Sequence, residues 1–516
     1  MSKKKYYITT AIPYVNAKPH IGHALEYVIS DAIYRYYKLA GHNTRLVSGA
    51  DENALKNVIA AEKAGVKPAK FLNKHSKIFA DFYKLLGVNL DEFRRGTDQK
   101  KHWPGVQKLW SMADARGDIY KKKYKGLYCV GCASFKTEKD LVNGKCPDHD
   151  KKPELVEEEN YFFKLRKYQK KLIQIIESDQ YKIYPEKRKN EVLSFIKRGL
   201  EDFSISRSNE RARGIGVPIP NDKNQKMYVW FDALTIYMTS SGWGFDDTLW
   251  KKWWPADLHI IGKDIIRFHA VYWPAMLLSA KLPLPKSLLV HGFISSGNRK
   301  MSKTLGNIID PYEIVNKYGV EPFRYFLLSQ VPTQDDGDFT IKRFEQVYQA
   351  NLANGLGNLV ARVVGLTNKY YNGKVPKPPM VADKHPLRTG KNIHNWKKTW
   401  KDIDNSFASY NIDRGLDSIW KFISAADKYI NDQKPWELAK NNKAEELAWV
   451  VYGLCDSVHQ IAWQLLPYLP DTSKKIAKAL KINKILVSQP NYKYSWANIK
   501  PGTSVRLDKP LFPRLD

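Results

Sequence analysis

Two histidines three residues apart stand in Pro19-His20-Ile21-Gly22-His23, behind a short apolar run. Imidazoles at that spacing on a first helical turn are neighbours, and each can donate a hydrogen bond to an anionic oxygen. A helix start adds backbone N–H groups without intrahelical partners and the positive end of the dipole, so the place suits a phosphate. Gly22 lets a ligand approach the backbone closely. Taken alone, His-x-x-His behind a strand serves a structural purpose as readily. A second set is Cys129-Val130-Gly131-Cys132 followed by Cys146-Pro147-Asp148-His149. Three thiols and an imidazole on two tight turns make the four-ligand pattern of a tetrahedral zinc site, against the plain alternative of a chance cluster. With Cys129, Cys132, Cys146 and His149 all used, the ion keeps no position for a substrate, so one structural Zn2+ per chain is expected. The third set is Lys300-Met301-Ser302-Lys303-Thr304. It reads either as an ordinary surface loop or as two ammonium groups and a hydroxyl, Lys300, Lys303 and Ser302, placed to clamp a triphosphate.

The elements around these residues follow from hydrophobic periodicity. Residues 6–12 are β-branched and aromatic and predict a buried strand, broken by Pro13, Asn16 and Pro19. From Ile21 the apolar residues Leu25, Val28, Ile29, Ala32, Ile33 and Tyr36 fall at helical spacing. A second strand over 44–51 ends in Asp51, which either caps the next helix or sits as a functional carboxylate at a strand's carboxyl end. Strands are again predicted at 227–231, leading to Asp232, and at 258–261, leading to Gly262-Lys263-Asp264; a last one is expected over 291–294. Alternating β and α units imply a parallel sheet. Residues 161–210 are basic and aromatic with helical spacing at 168–176 and 191–200, which an exposed basic helix also explains. The Gly/Pro-rich stretch 214–220 marks a domain edge, so 117–222 reads as an insertion into one nucleotide-binding domain. Beyond 345 the periodicity is helical over 346–366, 395–430 and 444–466. Trp436, Trp449, Trp463 and Trp496 in that region serve as core or, in part, as stacking platforms for unpaired bases.

Composition narrows the classes. The chain has 516 residues, 43% of them hydrophobic, with 15 Trp, 30 Tyr and 20 Phe, which excludes a disordered polypeptide and gives room for two to four domains. Its net charge of +31 fits a polyanion partner, nucleic acid first, or simply a lysine-rich surface. No run of 18 apolar residues exists, so no membrane partner is expected. The basic start at Met1–Lys5 is followed by an apolar stretch that stops at Pro13 without a cleavage segment, and three of four cysteines cluster with a histidine. A cytoplasmic protein is expected.

In this order the motifs resemble the methionyl-tRNA synthetases of class I. The two signatures stand as Pro19-His20-Ile21-Gly22-His23 and Lys300-Met301-Ser302-Lys303-Thr304, with the knuckle insertion between them. Ala11-Ile12-Pro13-Tyr14, Gly49-Ala50-Asp51, Val229-Trp230-Phe231-Asp232-Ala233, Gly262-Lys263-Asp264-Ile265 and Trp273-Pro274-Ala275-Met276 resemble the family as well, as do Asn354-x-x-Gly357-Asn358-Leu359 and Lys434-Pro435-Trp436. The resemblance implies an α/β fold: a parallel-sheet, Rossmann-like catalytic domain (1–116 and 223–290) interrupted by a zinc-knuckle insertion (117–222). A loop and stem-contact region (291–345) and an all-helical anticodon-binding domain (346–516) follow.

It further implies ATP-dependent activation of L-methionine and transfer to tRNA(Met), initiator and elongator, with Mg2+ accompanying ATP. Catalysis falls to His20, His23, Lys300, Ser302 and Lys303. ATP is held by His20, Gly22, His23, Gly262, Asp264, Lys300 and Lys303. The methionine pocket carries over as Ile12, Tyr14, Trp230, Ala233, Tyr237, Ile265 and His269, with Asp51 on the ammonium. Arg207 matches an active-site arginine, and Asn431 and Trp496 the anticodon contacts. Leu234 stands where the family often has proline, and Asp427 where asparagine is usual. The chain runs to Asp516 without the appended oligonucleotide-binding domain that many relatives use to dimerise, so a monomer is expected. Two other readings are set aside: class I enzymes with a large editing insertion or an open zinc site, and a non-catalytic RNA-binding protein that kept the fold but has no use for both signatures.

Overall fold

The computed structural model describes residues 4–131, 134–136, 138–147, 150–299, 301, 307–379, 385–391, 393–481 and 499–515. The chain forms two compact units, neither of them one continuous stretch. One comprises Lys5–Pro19 and Arg45–His291; the other joins His20–Thr44 to Gly292–Asp516.

The first unit is α/β. Its strands are β1 (Lys5–Thr10), β2 (Asn43–Ala50), β3 (Glu92–Arg95), β4 (Ile119–Cys129), β5 (Ser134–Lys136), β6 (Glu154–Phe163), β7 (Lys182–Tyr184), β8 (Phe203–Ser204), β9 (Ser206–Ser208), β10 (Pro218–Ile219), β11 (Asp222–Met227), β12 (Leu258–Gly262) and β13 (Ser287–His291). Six of them form the main sheet in the order β3-β2-β1-β12-β13-β7. The pairs β1–β12, β12–β13, β13–β7 and β2–β3 are parallel. Such a sheet is covered on both faces, which is why β1 and β12 are almost wholly buried. The strand order turns back on either side of β1, and ligands of open α/β sheets bind at the carboxyl ends of strands at such a switch point.

The range 117–222 includes one strand of the main sheet, since β7 pairs Lys182, Ile183 and Tyr184 with Ser287, Leu288 and Leu289 of β13. The rest of that range builds a four-stranded sheet, β5-β4-β6-β8, and a three-stranded one, β10-β11-β9. The long β4–β6 ladder sets Lys123 opposite Glu159 and Lys125 opposite Glu157, and opposite charges across a ladder help hold its register.

Three expected elements differ. The strand expected at 227–231 ends at Met227, and Val229–Thr239 is a helix buried at all eleven positions. A helix surrounded by core is apolar on every side, so its sequence shows no periodicity to separate it from a buried strand. The strand expected at 291–294 is the end of β13. The chain leaves through Gly292, where a Cβ would meet the Asp335 carbonyl oxygen at 2.1 Å, and Ile294–Ser295 pairs in parallel with Gly337–Asp338. The helix expected over 395–430 is two, Trp396–Ala408 and Ile412–Gln433, broken at Tyr410 with its positive φ of 55°.

The second unit is mainly helical. Here Ile21–Leu39, next to β1 in sequence, packs with helices from the C-terminal half. Asp31 Oδ2 accepts from Arg324 Nη2 and from Arg35 Nε, each at 2.7 Å, with Asp31 and Arg324 fully buried. Removing one partner from such a pair leaves a buried charge and costs about 3–5 kcal/mol. Tyr36 stacks on Phe407 at 3.9 Å and donates to Asp404 Oδ1 at 2.9 Å. The stretch 346–366 is helical, with a π-helical segment at Tyr348–Gly357 between Ile341–Val347 and Asn358–Tyr371. Among the described residues no helix is long and apolar enough to cross a membrane.

Candidate functional site

In the α/β unit the predicted residues gather at the carboxyl ends of β1, β2 and β12. Beyond β1 the chain stays extended, so that Tyr14 forms a parallel bridge with Asp51, whose amide donates to the Pro13 carbonyl at 2.9 Å. Asp51 is buried, and its Oδ1 has no hydrogen-bond partner among the described residues. Burial pushes its pKa well above the usual carboxylate range, and the nearby Asp232 carboxylate pushes the same way; Lys56 and the Asn53 amide oppose them. A buried carboxylate oxygen without a donor is costly, and a cationic ligand removes the deficit.

The helix Val229–Thr239 supplies the apolar wall. Trp230, Ala233 and Tyr237, at spacings of three and four, share one of its faces. Trp230 stacks on Phe268 at 3.7 Å and meets Tyr14 edge-on at 6.2 Å and His269 edge-on at 6.3 Å. Tyr237 Oη donates to His269 Nε2 at 2.7 Å, and His269 Nδ1 donates to the Ile265 carbonyl at 3.0 Å. A carbonyl only accepts, so the histidine proton sits on Nδ1. Burial lowers the His269 pKa to about 4, which keeps the ring neutral near pH 7. Ile12 and Ile265 are partly buried against the same core, and Ala233 is buried. A neutral aromatic lining of this kind suits a polarisable, unbranched side chain.

Sequence reasoning missed two contributors. Phe268 supplies the flat contact to Trp230, with no signal of its own beyond lying next to His269. Asp232, expected only to open a helix, lies inside the first turn and is a second buried carboxylate. It accepts from His102 Nε2 at 2.5 Å and from Asn53 Nδ2 at 2.5 Å, while His102 Nδ1 lies 2.9 Å from Thr239 Oγ1. At the end of β12, Gly262 leaves room for Asp264, whose Oδ1 would lie 2.8 Å from a Cβ there. Arg207 has local partners: Nη1 donates to Ser204 Oγ at 2.9 Å and to the Ser206 carbonyl at 2.5 Å, and the guanidinium lies near the Tyr128 and Tyr228 rings.

His20 and His23 lie in the helical unit, at the start of Ile21–Leu39. His20 is the N-cap: its Nδ1 accepts from the Gly22 amide, and His23 Nδ1 accepts from the His20 amide, both at 3.1 Å. The rings stand 3.9 Å apart. With each Nδ1 accepting, each neutral ring carries its proton on Nε2, so cap and phosphate-type donor coexist on one side chain. Asn431 is exposed on the helix Ile412–Gln433. Cys129, at the end of β4, and Cys146, bridged to Lys151, are both buried. Cys132, His149, Lys300, Ser302, Lys303 and Trp496 lie outside the described residues, and among the described residues no three metal-ligating side chains converge.

Comparison with known proteins places this geometry. The family profile described as tRNA synthetases class I (M) matches residues 6–151 and 137–364. A methionine–tRNA ligase of Clostridium acetobutylicum is 41% identical over 517 residues, covering 100% of this chain and 79% of that one. A methionine–tRNA ligase of Brucella suis is 38% identical and is matched over 98% of its length. Among solved structures, Mycobacterium tuberculosis methionyl-tRNA synthetase in complex with methionyl-adenylate is similar with a TM-score of 0.92 and 37% identity, over 99% of this chain and 100% of that one.

Proposed function

This chain belongs to the class I tRNA synthetases (M), and from that premise we propose how its residues divide the work of a methionine–tRNA ligase. The reaction has two steps. The methionine carboxylate attacks the α-phosphorus of ATP, giving methionyl-adenylate and diphosphate. The terminal ribose hydroxyl of tRNA(Met) then attacks the activated carbonyl, releasing AMP.

The observation that carries the division is Asp51 Oδ1, which has no donor among the described residues, beside an aromatic cluster. The methionine ammonium meets Asp51, and its thioether lies among Ile12, Tyr14, Trp230, Ala233, Tyr237, Ile265 and His269. The Tyr237–His269–Ile265 hydrogen-bond chain holds His269 fixed and burial keeps it neutral, so this ring adds no cation to repel the ammonium. Gly262 and Asp264 receive the adenosine. Charge builds on phosphate oxygens during in-line attack, so catalysis is positioning and electrostatic stabilisation rather than protein nucleophilicity. His20 and His23 donate to those oxygens from Nε2, beside the helix-start amides at Gly22; Lys300 and Lys303, with Ser302 between, hold the departing diphosphate. Mg2+ bound with ATP would supply the charge that offsets the remaining phosphate oxygens. Arg207, held by Ser204 and the Ser206 carbonyl, is the further active-site cation that the family resemblance implies. On the tRNA side, initiator and elongator forms are both substrates, and Asn431 and Trp496 face the anticodon.

Zinc would suit the donor set Cys129, Cys132, Cys146 and His149, of which Cys129, at the end of β4, and Cys146, bridged to Lys151, are buried. It supplies a closed structural tether and no reactive position. Elemental analysis of the purified protein is expected to find one zinc per chain, and chelation to lower the melting temperature; a zinc-free preparation of full stability would remove the site. The whole reading is tested by amino-acid-dependent pyrophosphate exchange. Exchange with methionine is expected, and its absence in pure protein would overturn the proposal.

A further inference from the structure

Asp427 and Asn431 stand one turn apart on the helix Ile412–Gln433, and a single guanidinium from the helix Asn358–Tyr371 reaches both. Arg362 Nη1 donates to Asp427 Oδ1 at 2.6 Å and Nη2 donates to Asn431 Oδ1 at 2.7 Å. Two consequences follow from charge and valence. The carboxylate at 427, which by itself repels RNA phosphate, is neutralised by the guanidinium it holds. Arginine has five donors and no acceptor, so the Asn431 atom facing it is the oxygen, and the amide nitrogen is turned the other way, on an exposed part of the helix.

We propose that Arg362 is a positioning residue for tRNA recognition: it fixes Asn431 with its NH2 outward, so that this side chain donates to the acceptor atoms of an unpaired base. The inference rests on the reading that Asn431 faces the anticodon. A carboxamide that can turn over presents donor and acceptor alternately and discriminates poorly. One locked by a fork on its oxygen presents donors only, and donors select an edge carrying ring nitrogen or carbonyl acceptors. Arg362 is suited to this because its planar fork serves Asp427 and Asn431 together, whereas a lysine ammonium offers one point charge on a flexible stem.

The test combines aminoacylation of tRNA(Met) transcripts with methionine-dependent pyrophosphate exchange on the same full-length preparations. Arg362→Met is expected to lose on the order of tenfold in kcat/KM for tRNA, mainly through KM, with exchange unchanged; one lost hydrogen bond to a charged group is of that size. It is also expected to narrow the preference for a CAU anticodon over single-base variants. Arg362→Lys should not restore that preference. Asn431→Ala should lose as much, and in an Asp427→Asn background, where no carboxylate is left for Arg362 to neutralise, the Arg362→Met/Asn431→Ala pair should lose no more than either change alone, because there Arg362 acts only through Asn431. If Asn431→Ala is impaired while Arg362→Met charges tRNA normally, the proposal is overturned and the anticodon reading stands. If Asn431→Ala charges normally, that reading falls, and the proposal with it. Equal losses in charging and exchange would mark a defect of folding and also overturn it.

Discussion

Asp51→Asn is expected to lower kcat/KM for methionine in pyrophosphate exchange by about a hundredfold to a thousandfold, the ~3–4 kcal/mol of a charge pair desolvated together. The substitution keeps size and one acceptor oxygen and removes only the charge that meets the ammonium. The same variant should be more stable than the parent at neutral pH. Burial, seconded by Asp232, raises the Asp51 pKa above its unfolded value. Between those two values the folded state holds a proton that the unfolded state has released, so stability falls as pH rises through the window. Above it the ionised group is a standing cost, which the asparagine lacks; below it, where Asp51 is protonated, the two proteins should differ little. Melting curves across pH check the stability claim, and the acid limb of kcat/KM for methionine should lie above the ordinary aspartate range. An Asp51→Asn protein with normal methionine saturation would refute the assignment.

The second large effect belongs to the histidine pair. Each imidazole caps the helix through Nδ1, so alanine there confounds a lost donor with a lost cap worth about 1 kcal/mol. His20→Asn and His23→Gln avoid this: asparagine is a preferred N-cap, and glutamine at the third position completes a capping box. Both keep the helix start and replace the ring Nε2–H with a carboxamide NH2 that no longer sits at the Nε2 position. Each is expected to slow methionyl-adenylate formation about a hundredfold to a thousandfold, the usual effect of one lost transition-state donor, with methionine affinity and melting temperature near those of the parent. Single-turnover kinetics separates these quantities. A double variant that activates methionine at the parent rate would show that the pair only caps the helix.

Much of this was legible from residue types alone. His20, Gly22 and His23 stand at a strand-to-helix handover because apolar spacing changes there from two to helical, and that is a local property of the chain. The β1, β2 and β12 strands were readable for the same reason, as was the placing of Asp51 and Gly262 at their carboxyl ends. Local pattern stops where burial is complete on all sides. Residues 229–231 read as strand although they are the first turn of the helix Val229–Thr239, because every position of that helix is buried and no exposed face marks the helical period, and β7 stayed hidden because three residues paired with a distant β13 carry almost no periodic signal.

What only the tertiary structure decided is how each charged or polar group is satisfied. Sequence determined that an aspartate ends β2, that two histidines begin a helix and that an acidic residue stands at 427. It did not determine that Asp51 Oδ1 lacks a donor among the described residues, that both histidines spend Nδ1 on the backbone, that Asp232 is held by His102 and Asn53, or that Arg362 neutralises Asp427. Apart from the two histidine caps, those pairings join residues far apart in the chain. Their energies depend on distance and desolvation, which are properties of the folded molecule and are not written in the order of its residues.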